Sequence, residues 1–440
     1  MSQFGQMSPA TSAAPASQGL RYWDLLVILF AVLAVLMTMS AFYYFYGGFA
    51  VGDMVEGPDP SPSAPLAKDN RLYQALWLLL LGSTAALLVH ALLTRSVHAS
   101  ILYAAPIVVW SLLSAVWSVN STNTLFYATM LAANLAIGYV LAEHLSPQRF
   151  LAIFGWVLAA LVLGSLLLYL AAPDIASTAR YGGSGLIGGR QMHGVFAHKA
   201  DAGYYSAMLL VMLLIGVGPR LGRLARAFLV LAAIASVVLS NSSTALAASV
   251  VVVALAITLQ NAGRWRNIAI IGVALSVIAF SFLVPMVGLG SVTEVLNRDA
   301  GLTGRVPIWA SGLEFMGRKP WLGYGYQAFF DAGKYSPAWE LWARLVYFRA
   351  PDFHNTSIDI GVSLGVIGLA LYVLLLTRAF FLAFNRHIDM NVRVVLVALL
   401  TLLVFTATAD FTLMKHNHFS TLLMAYCAFA AGRSHWRAAR

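Results

Sequence analysis

The sequence predicts an all-α membrane protein, a polytopic bundle of about twelve transmembrane helices with one large extramembrane loop, and three observations predict it. First, 60% of the 440 residues are hydrophobic and only 10% are charged, with a mean hydropathy of +0.78. Soluble domains carry about a quarter charged residues, so a water-soluble globular enzyme and a disordered chain are both excluded. Second, apolar runs of about 20 residues, enough to cross roughly 30 Å of hydrocarbon, recur along the chain. Third, basic residues concentrate in alternate short connections between those runs. The net charge of +10 does not indicate a nucleic-acid surface, because no run of five like charges occurs.

In chain order the runs cover residues 23–46, 72–94, 100–118, 124–142, 150–172, 202–218, 225–241, 244–260, 267–288, 356–384, 393–410 and 417–433. Residues 1–22 read as a disordered cytoplasmic tail. The run after Trp23 is too long for a signal-peptide core and no small-residue cleavage site closes it, so it reads as an uncleaved first span. With the N-terminus in the cytoplasm, the inner side collects 14 basic residues, from Arg21 to Arg440, against only Asp24, Glu143 and Asp389. That asymmetry puts both termini on the cytoplasmic side of the membrane. The chain then divides into the tail, a membrane bundle over 23–288 (about nine spans), a large loop on the outer side over 289–355, a second membrane segment over 356–433 (about three spans) and a short cytoplasmic tail over 434–440.

Three outer segments are long: 47–71, 173–201 and 289–355. The first is rich in proline and acids and suggests an extended cover. The last holds Trp309, Trp321, Trp339, Trp342, Tyr324, Tyr326 and Phe329 among charges, which suits short amphipathic helices lying on the membrane or roofing a cavity. Trp117 and the inner arginines read as interface anchors. The single Cys427 can form no internal disulfide, and zinc-type cysteine spacing is absent.

The unusual polar residues gather in the outer segments. The stretch Tyr181–Asp201 is glycine-rich up to Arg190 and continues through His193, His198 and Lys199. Glycines let backbone N–H groups approach an anion, Arg190 and Lys199 add charge, and Asp201 suits the N-cap of the following span. A mobile surface loop explains the same composition. Arg305 stands where a helix should start, after Thr303 and Gly304, and its guanidinium could hold a phosphate bidentately. Downstream, Arg318 and Lys319 precede Pro320-Trp-Leu-Gly-Tyr-Gly-Tyr326, which reads as a turn; an interfacial arginine with an aromatic anchor is the plainer account. His354 lies just before the span starting at Thr356, where a helix dipole disfavours imidazolium and keeps a general base neutral. Thr356 and Asp359 fit a capping box, which makes Asp359 structural. Asp410 ends the eleventh run and Lys415-His416-Asn417-His418 form the last outer turn. His193 and His198 lack the spacing of a helical metal pair, and no carboxylate cluster for Mg²⁺ is visible in the outer loops, which leaves arginines to neutralise an anion.

The order of these motifs resembles one family. Gly194-Val-Phe-Ala-His198-Lys199 is followed by Ser240-Asn-Ser242-Ser-Thr244, Leu302-Thr-Gly-Arg305-x3-Trp309, Pro320-x-Leu-Gly-Tyr-Gly-Tyr326, and His354-Asn355 ahead of Gly361-x3-Gly365-x2-Gly368. The set resembles the O-antigen ligase and Wzy-type polysaccharide polymerase superfamily, most closely its exopolysaccharide (succinoglycan-type) branch. The resemblance implies a glycosyltransferase-C-like bundle. It also implies transfer of a glycan from undecaprenyl diphosphate, on the periplasmic face, to a sugar hydroxyl. That acceptor is another lipid-linked repeat unit in a polymerase and lipid A-core in a ligase. It further implies Arg190 and Arg305 as diphosphate ligands, His354 as base, and His198, Lys199, Arg318 and Asp410 in supporting places. No metal or cofactor is implied; membrane lipid and chain-length-regulator and flippase proteins are implied partners, and nucleic acid is not. Two departures stand out: Ala200 follows His198-Lys199 where relatives often have Asn, and Ser243 occupies a position that is often basic. A transporter of lipid-linked sugars is the rival from another class. It should carry ionisable residues near mid-bilayer, whereas here they sit at span ends. An inactive subunit of an export complex would tolerate loss of His354.

Overall fold

The computed structural model describes residues 22–42, 71–94, 99–179, 190–287, 305–331, 336–345, 350–410 and 412–433. The tail before residue 22, most of the 47–71 cover and the Tyr181–Gly189 stretch lie outside the described residues. Every predicted apolar run coincides with helix: α1 (Tyr22–Thr38), α2 (Arg71–Leu93), α3 (Ala105–Leu113), α4 (Ser121–His144), α5 (Pro147–Ala171), α6 (Lys199–Ile215), α7 (Arg223–Leu239), α8 (Ser243–Asn261) and α9 (Arg266–Val287), then α12 (Thr356–Phe380), α13 (Met390–Ala407) and α14 (Phe419–Ala430). Between α9 and α12 lie two short helices, α10 (Arg305–Arg318) and α11 (Ala338–Arg344). Seven helical stretches among the described residues are long and apolar enough to cross a membrane, and α1, α3 and α14 are shorter apolar pieces. The molecule is an all-α polytopic membrane protein.

Burial separates core from periphery. Of the apolar stretch in α13, 78% is buried, and α6 and α14 are buried almost throughout; α2 and the stretch 263–283 bury only 17% and 11%. The outer helices therefore present leucine, isoleucine and phenylalanine to lipid, where exposed apolar surface carries no penalty. Close packing is set by small residues: a Cβ on Gly138 of α4 would stand 2.7 Å from Ala425 Cβ of α14.

Caps account for most helix starts. Asn120, Ser146, Ser242 and Asp389 side chains accept from the first turns of α4, α5, α8 and α13. Two expectations are corrected here. His198, not Asp201, caps α6, its Nδ1 accepting from Ala200 N–H at 3.2 Å, while Asp201 sits in the first turn. Asn355, not Thr356, caps α12, accepting from Ile358 N–H at 3.1 Å. Asp359 reaches behind the cap to Phe353 N–H instead of closing a capping box. The Ser240–Thr244 motif is a turn and cap between α7 and α8, with Asn241 at φ +49°.

Two features interrupt the helical pattern. A small antiparallel pair, β1 (Ser177–Ala179) and β2 (Arg190–Met192), aligns Ala179 with Arg190 and Thr178 with Gln191. The second is a break in α12: Gly365 has φ +68° and ψ −171°. The carbonyls freed there are taken up by the Pro320–Tyr326 motif and by α3. Tyr324 N–H donates to Val362 O, Gly325 N–H to Ser363 O and Trp110 Nε1–H to Leu364 O, while Val366 N–H donates back to Pro320 O. Irregular backbone is tolerated at such depth only where protein satisfies its polar groups. The glycines of this motif are thus committed to a backbone splice: a Cβ on Gly323 would lie 2.5 Å from the Ser363 carbonyl. Trp117, expected as an interface anchor, instead donates to Leu322 O at 2.9 Å in the same splice.

Several described residues of 305–353 form a packed apolar unit. Trp309, Phe315, Tyr324, Phe329, Leu341 and Phe353 close a second apolar core against Ile358 and Val362 of α12. At the opposite end of α4 and α14, Arg433 is fully buried, paired with Glu143 and stacked over Tyr139. Removing one partner of a buried pair leaves a desolvated charge, so Glu143→Gln is expected to cost about 3–5 kcal/mol. The check is thermal melting in detergent; a variant that melts with the parent would show the pair to be dispensable.

Candidate functional site

The polar cluster is assembled where the start of α12 meets the turn after α13. Asn355 Nδ2 donates to Thr408 O, Thr356 Oγ1 donates to Asp410 O, and Thr412 N–H donates to Thr356 Oγ1. These bonds bring Asp410 beside His354 from far along the chain. His354 Nδ1 lies 3.0 Å from Asp352 Oδ1 and 3.8 Å from Asp410 Oδ1. His354 takes φ +50°, a conformation in which a non-glycine residue carries strain. That backbone is held by two carboxylates: Asp352 Oδ1 accepts His354 N–H at 2.9 Å, and both Asp359 oxygens accept Phe353 N–H at 3.2 Å. A cavity of about 20 Å³, room for one water, is lined by Asp352, Asp359, Gln327 and Ser363.

The remaining charges share this neighbourhood. Burial lowers the His198 pKa, the Asp410 carboxylate opposes that, and Lys199, His193 and Arg305 reinforce it. His198 therefore feels the charges of Asp410, Lys199 and Arg305, and Asp410 in turn stands 3.8 Å from His354 Nδ1. Burial raises the Asp352 pKa and the Asp410 charge adds to it, while Lys415, His354 and the His354 N–H work against it. His418 caps α14 through Nδ1; burial and Lys415 lower its pKa to about 3, with Asp410 opposing, so it is neutral. His416 is also held neutral, at about 3, by burial and Lys415, and its ring packs 4.6 Å from that of Tyr127.

The expected site residues divide into three groups. His354 and Asp410 come together, and His198, at the start of α6 beside Lys199, feels the Asp410 and Arg305 charges. Arg190 stands on adjoining β2, half-exposed and paired with Asp174 at 2.7 Å; its neighbour Gln191 accepts from Lys199 Nζ at 2.6 Å. Arg318 lies apart in an exposed ladder with Glu314, Glu340 and Arg344 that clamps α10 to α11. Hydrogen bonds from Arg344 and Arg318 hold the Glu314 carboxyl down at about 2, so this ladder stays charged in ordinary buffers. Sequence reading passed over Asp352, although an aspartate two residues before a histidine at a helix entry is the signature of a local side-chain turn.

The fold also forms a carboxylate cluster that the outer loops did not reveal in sequence: donor atoms of Asp352, His354 and Asp410 all lie within 4.8 Å of one another. Two carboxylates and an imidazole could take a divalent cation. The Asp352 oxygen nearest the ring also accepts the His354 backbone N–H.

A charge-poor membrane bundle with a basic and imidazole cluster at the ends of its helices defines a class: a polytopic membrane protein with a polar site at one end of the bundle. Residues 227–373 match the family model described as O-Antigen ligase, a stretch that includes Arg305, Arg318, His354 and the α12 break. The chain is also 30% identical over 249 residues to the exopolysaccharide production protein ExoQ of Rhizobium meliloti (strain 1021), covering 53% of this chain and 57% of that protein. The chain thus spans little more than half the length of the curated relative it matches. Both findings agree with the resemblance carried by the motifs, to the O-antigen ligase and Wzy-type superfamily on its exopolysaccharide side.

Proposed function

We propose that this protein is a glycosyltransferase that polymerises a surface or exopolysaccharide at the periplasmic face of a bacterial inner membrane, with both termini cytoplasmic. Its donor is a glycan on undecaprenyl diphosphate and its acceptor a sugar hydroxyl of another lipid-linked repeat unit. The observation that carries the reading is His354, bracketed by Asp352 and by Asp410, whose charge, with those of Lys199 and Arg305, also acts on His198. In the reaction the acceptor oxygen attacks the anomeric carbon as its proton passes to His354. The bond from that carbon to the diphosphate oxygen breaks, and the lipid diphosphate leaves with the electron pair. Arg305 neutralises the developing charge, and Arg190 joins it by exchanging Asp174 for a phosphate oxygen. Preorganised donors aimed at such charge contribute a few kcal/mol each in a water-poor site. The lipid enters sideways between helices, which the apolar flanks permit. Flippase and chain-length-regulator proteins are the expected partners in the membrane.

Purified protein given lipid-linked repeat units should lengthen them, and Arg305→Gln should lower the rate by about 10²–10³-fold. EDTA should leave the rate unchanged; activity lost to EDTA and restored by Mg²⁺ would turn the Asp352, His354 and Asp410 trio into a cation site and overturn the arginine account. The match to an O-Antigen ligase model favours a second reading, transfer to lipid A-core. Deletion separates them: single repeats without long polymer indicate a polymerase, and bare lipid A-core beside normal polymer indicates a ligase.

A further inference from the structure

Three carboxylates surround His354, and they are not equivalent. Asp410 is partly exposed and belongs to the turn after α13, on the side of Arg305 and His198. Asp359 is buried in the first turns of α12 and spends both oxygens on Phe353 N–H. Asp352 is buried, and its Oδ1 faces two groups of one residue, the His354 backbone N–H at 2.9 Å and ring Nδ1 at 3.0 Å. The ring contact is not yet aligned as a hydrogen bond. Catalytic hydrogen bonds are often poorly aligned before substrate binds, and at 3.0 Å the pair is within reach of one.

We propose that Asp352 is the positioning residue of His354, accepting the ring Nδ1–H so that Nε2 is the nitrogen left to take the proton of the acceptor hydroxyl. The inference rests on His354 being the base of the proposed glycan transfer. In a neutral imidazole one nitrogen donates and the other accepts, and the partner of the first decides which is free. Asp352 fixes this choice through a rigid local turn: the same oxygen that faces Nδ1 ties down the backbone of His354 in its left-handed conformation. Its charge also stabilises the imidazolium that forms as the acceptor oxygen attacks. The proton moves from acceptor oxygen to Nε2 and the Nδ1 proton stays on the ring, so Asp352 gains none.

Asp352→Asn keeps the turn and an oxygen near Nδ1 but removes the charge; Asp352→Ser keeps an acceptor for the backbone N–H and leaves nothing at Nδ1. The other charged groups that face His354 or Asp352, Asp410 and Lys415 from the turn before α14 and Asp359 from α12, stay in place in both. The experiment reads two quantities on full-length protein in detergent. One is the pH dependence of kcat for polymer formation; the other is the pH dependence of His354 modification by diethyl pyrocarbonate, followed by mass spectrometry. A base must be neutral, so activity climbs as pH rises through the acid limb. Loss of a neighbouring negative charge moves that limb and the modification midpoint to lower pH, by about one unit. In Asp352→Asn kcat should fall about 10–100-fold while KM stays within about twofold. A limb and a midpoint that stay at their wild-type pH in both variants would overturn the proposal even if kcat fell, since a purely structural aspartate would do the same. If the midpoint moves but His354→Ala still makes polymer, the pairing stands and the assignment of His354 as base falls. If wild type makes polymer, His354→Ala does not, and Asp352→Asn matches wild type, the base stands and Asp352 is dispensable.

Discussion

Replacing His354 by alanine is expected to reduce polymer formation by about 10²–10⁴-fold, the usual contribution of a positioned general base. The argument is geometric before it is electrostatic. Nδ1 lies within 4 Å of Asp352 and Asp410, so a base is held between carboxylates that stabilise the protonated ring. The backbone at φ +50° is maintained by bonds to Asp352, while Asn355 and Thr356 fasten the neighbouring residues to the turn after α13. Alanine also tolerates that backbone poorly, so the variant must be shown to elute and melt as the parent before its rate is read. His354→Gln, which keeps a polar side chain of similar size, should be equally inactive, since an amide cannot take the proton. Activity retained in both would leave the cluster as a binding feature and move the chemistry elsewhere.

The second large effect concerns folding. Gly365→Ala is expected to yield little monodisperse protein, because the break in α12 admits no side chain. At φ +68° and ψ −171° the backbone is in a region that is essentially glycine-only, and an alanine there carries about 1–3 kcal/mol of strain. Its Cβ would stand 2.2 Å from the Trp321 carbonyl oxygen, inside the splice that satisfies the carbonyls of 362–364. Relief requires the 320–326 turn to withdraw, which exposes those carbonyls within the bundle and loosens the start of α12 that carries His354. Gly82→Ala in α2 is the matched control, since nothing lies within 4 Å of a Cβ there and alanine favours helix. The readouts are recovery by size exclusion and thermal melting. Equal behaviour of the two variants would show that the break is not required for the fold.

The helices were legible because each apolar run had to find a non-aqueous environment, and run length and composition are properties of the chain alone. The same holds for the histidine-lysine pair at the entry to α6, whereas the residues before Arg305 that suggested a helix start lie outside the described ones. Caps were less legible. His198 and Asn355 displaced Asp201 and Thr356 because imidazole and amide acceptors at the true helix starts satisfied the first N–H groups, a difference of one to three residues. The Gly-Tyr-Gly-Tyr piece read as a turn, yet its glycines close a helix break forty residues downstream, and no local pattern announces a partner at that distance. Arg318 looked equal to Arg305 by residue type, but Glu314 and Glu340 take its guanidinium.

Membrane residence, the order of the helices and the placing of ionisable groups at their ends and connections were determined by the sequence by itself, because hydrophobic transfer energy adds along a chain and depends on no neighbour. Which of those ionisable groups meet was decided only by the tertiary structure. Asp352 and Asp410 flank one imidazole because hydrogen bonds between the start of α12 and the end of α13 draw two distant segments together. Such contacts depend on distance and direction at the scale of ångströms, and those are fixed only once the helices have packed.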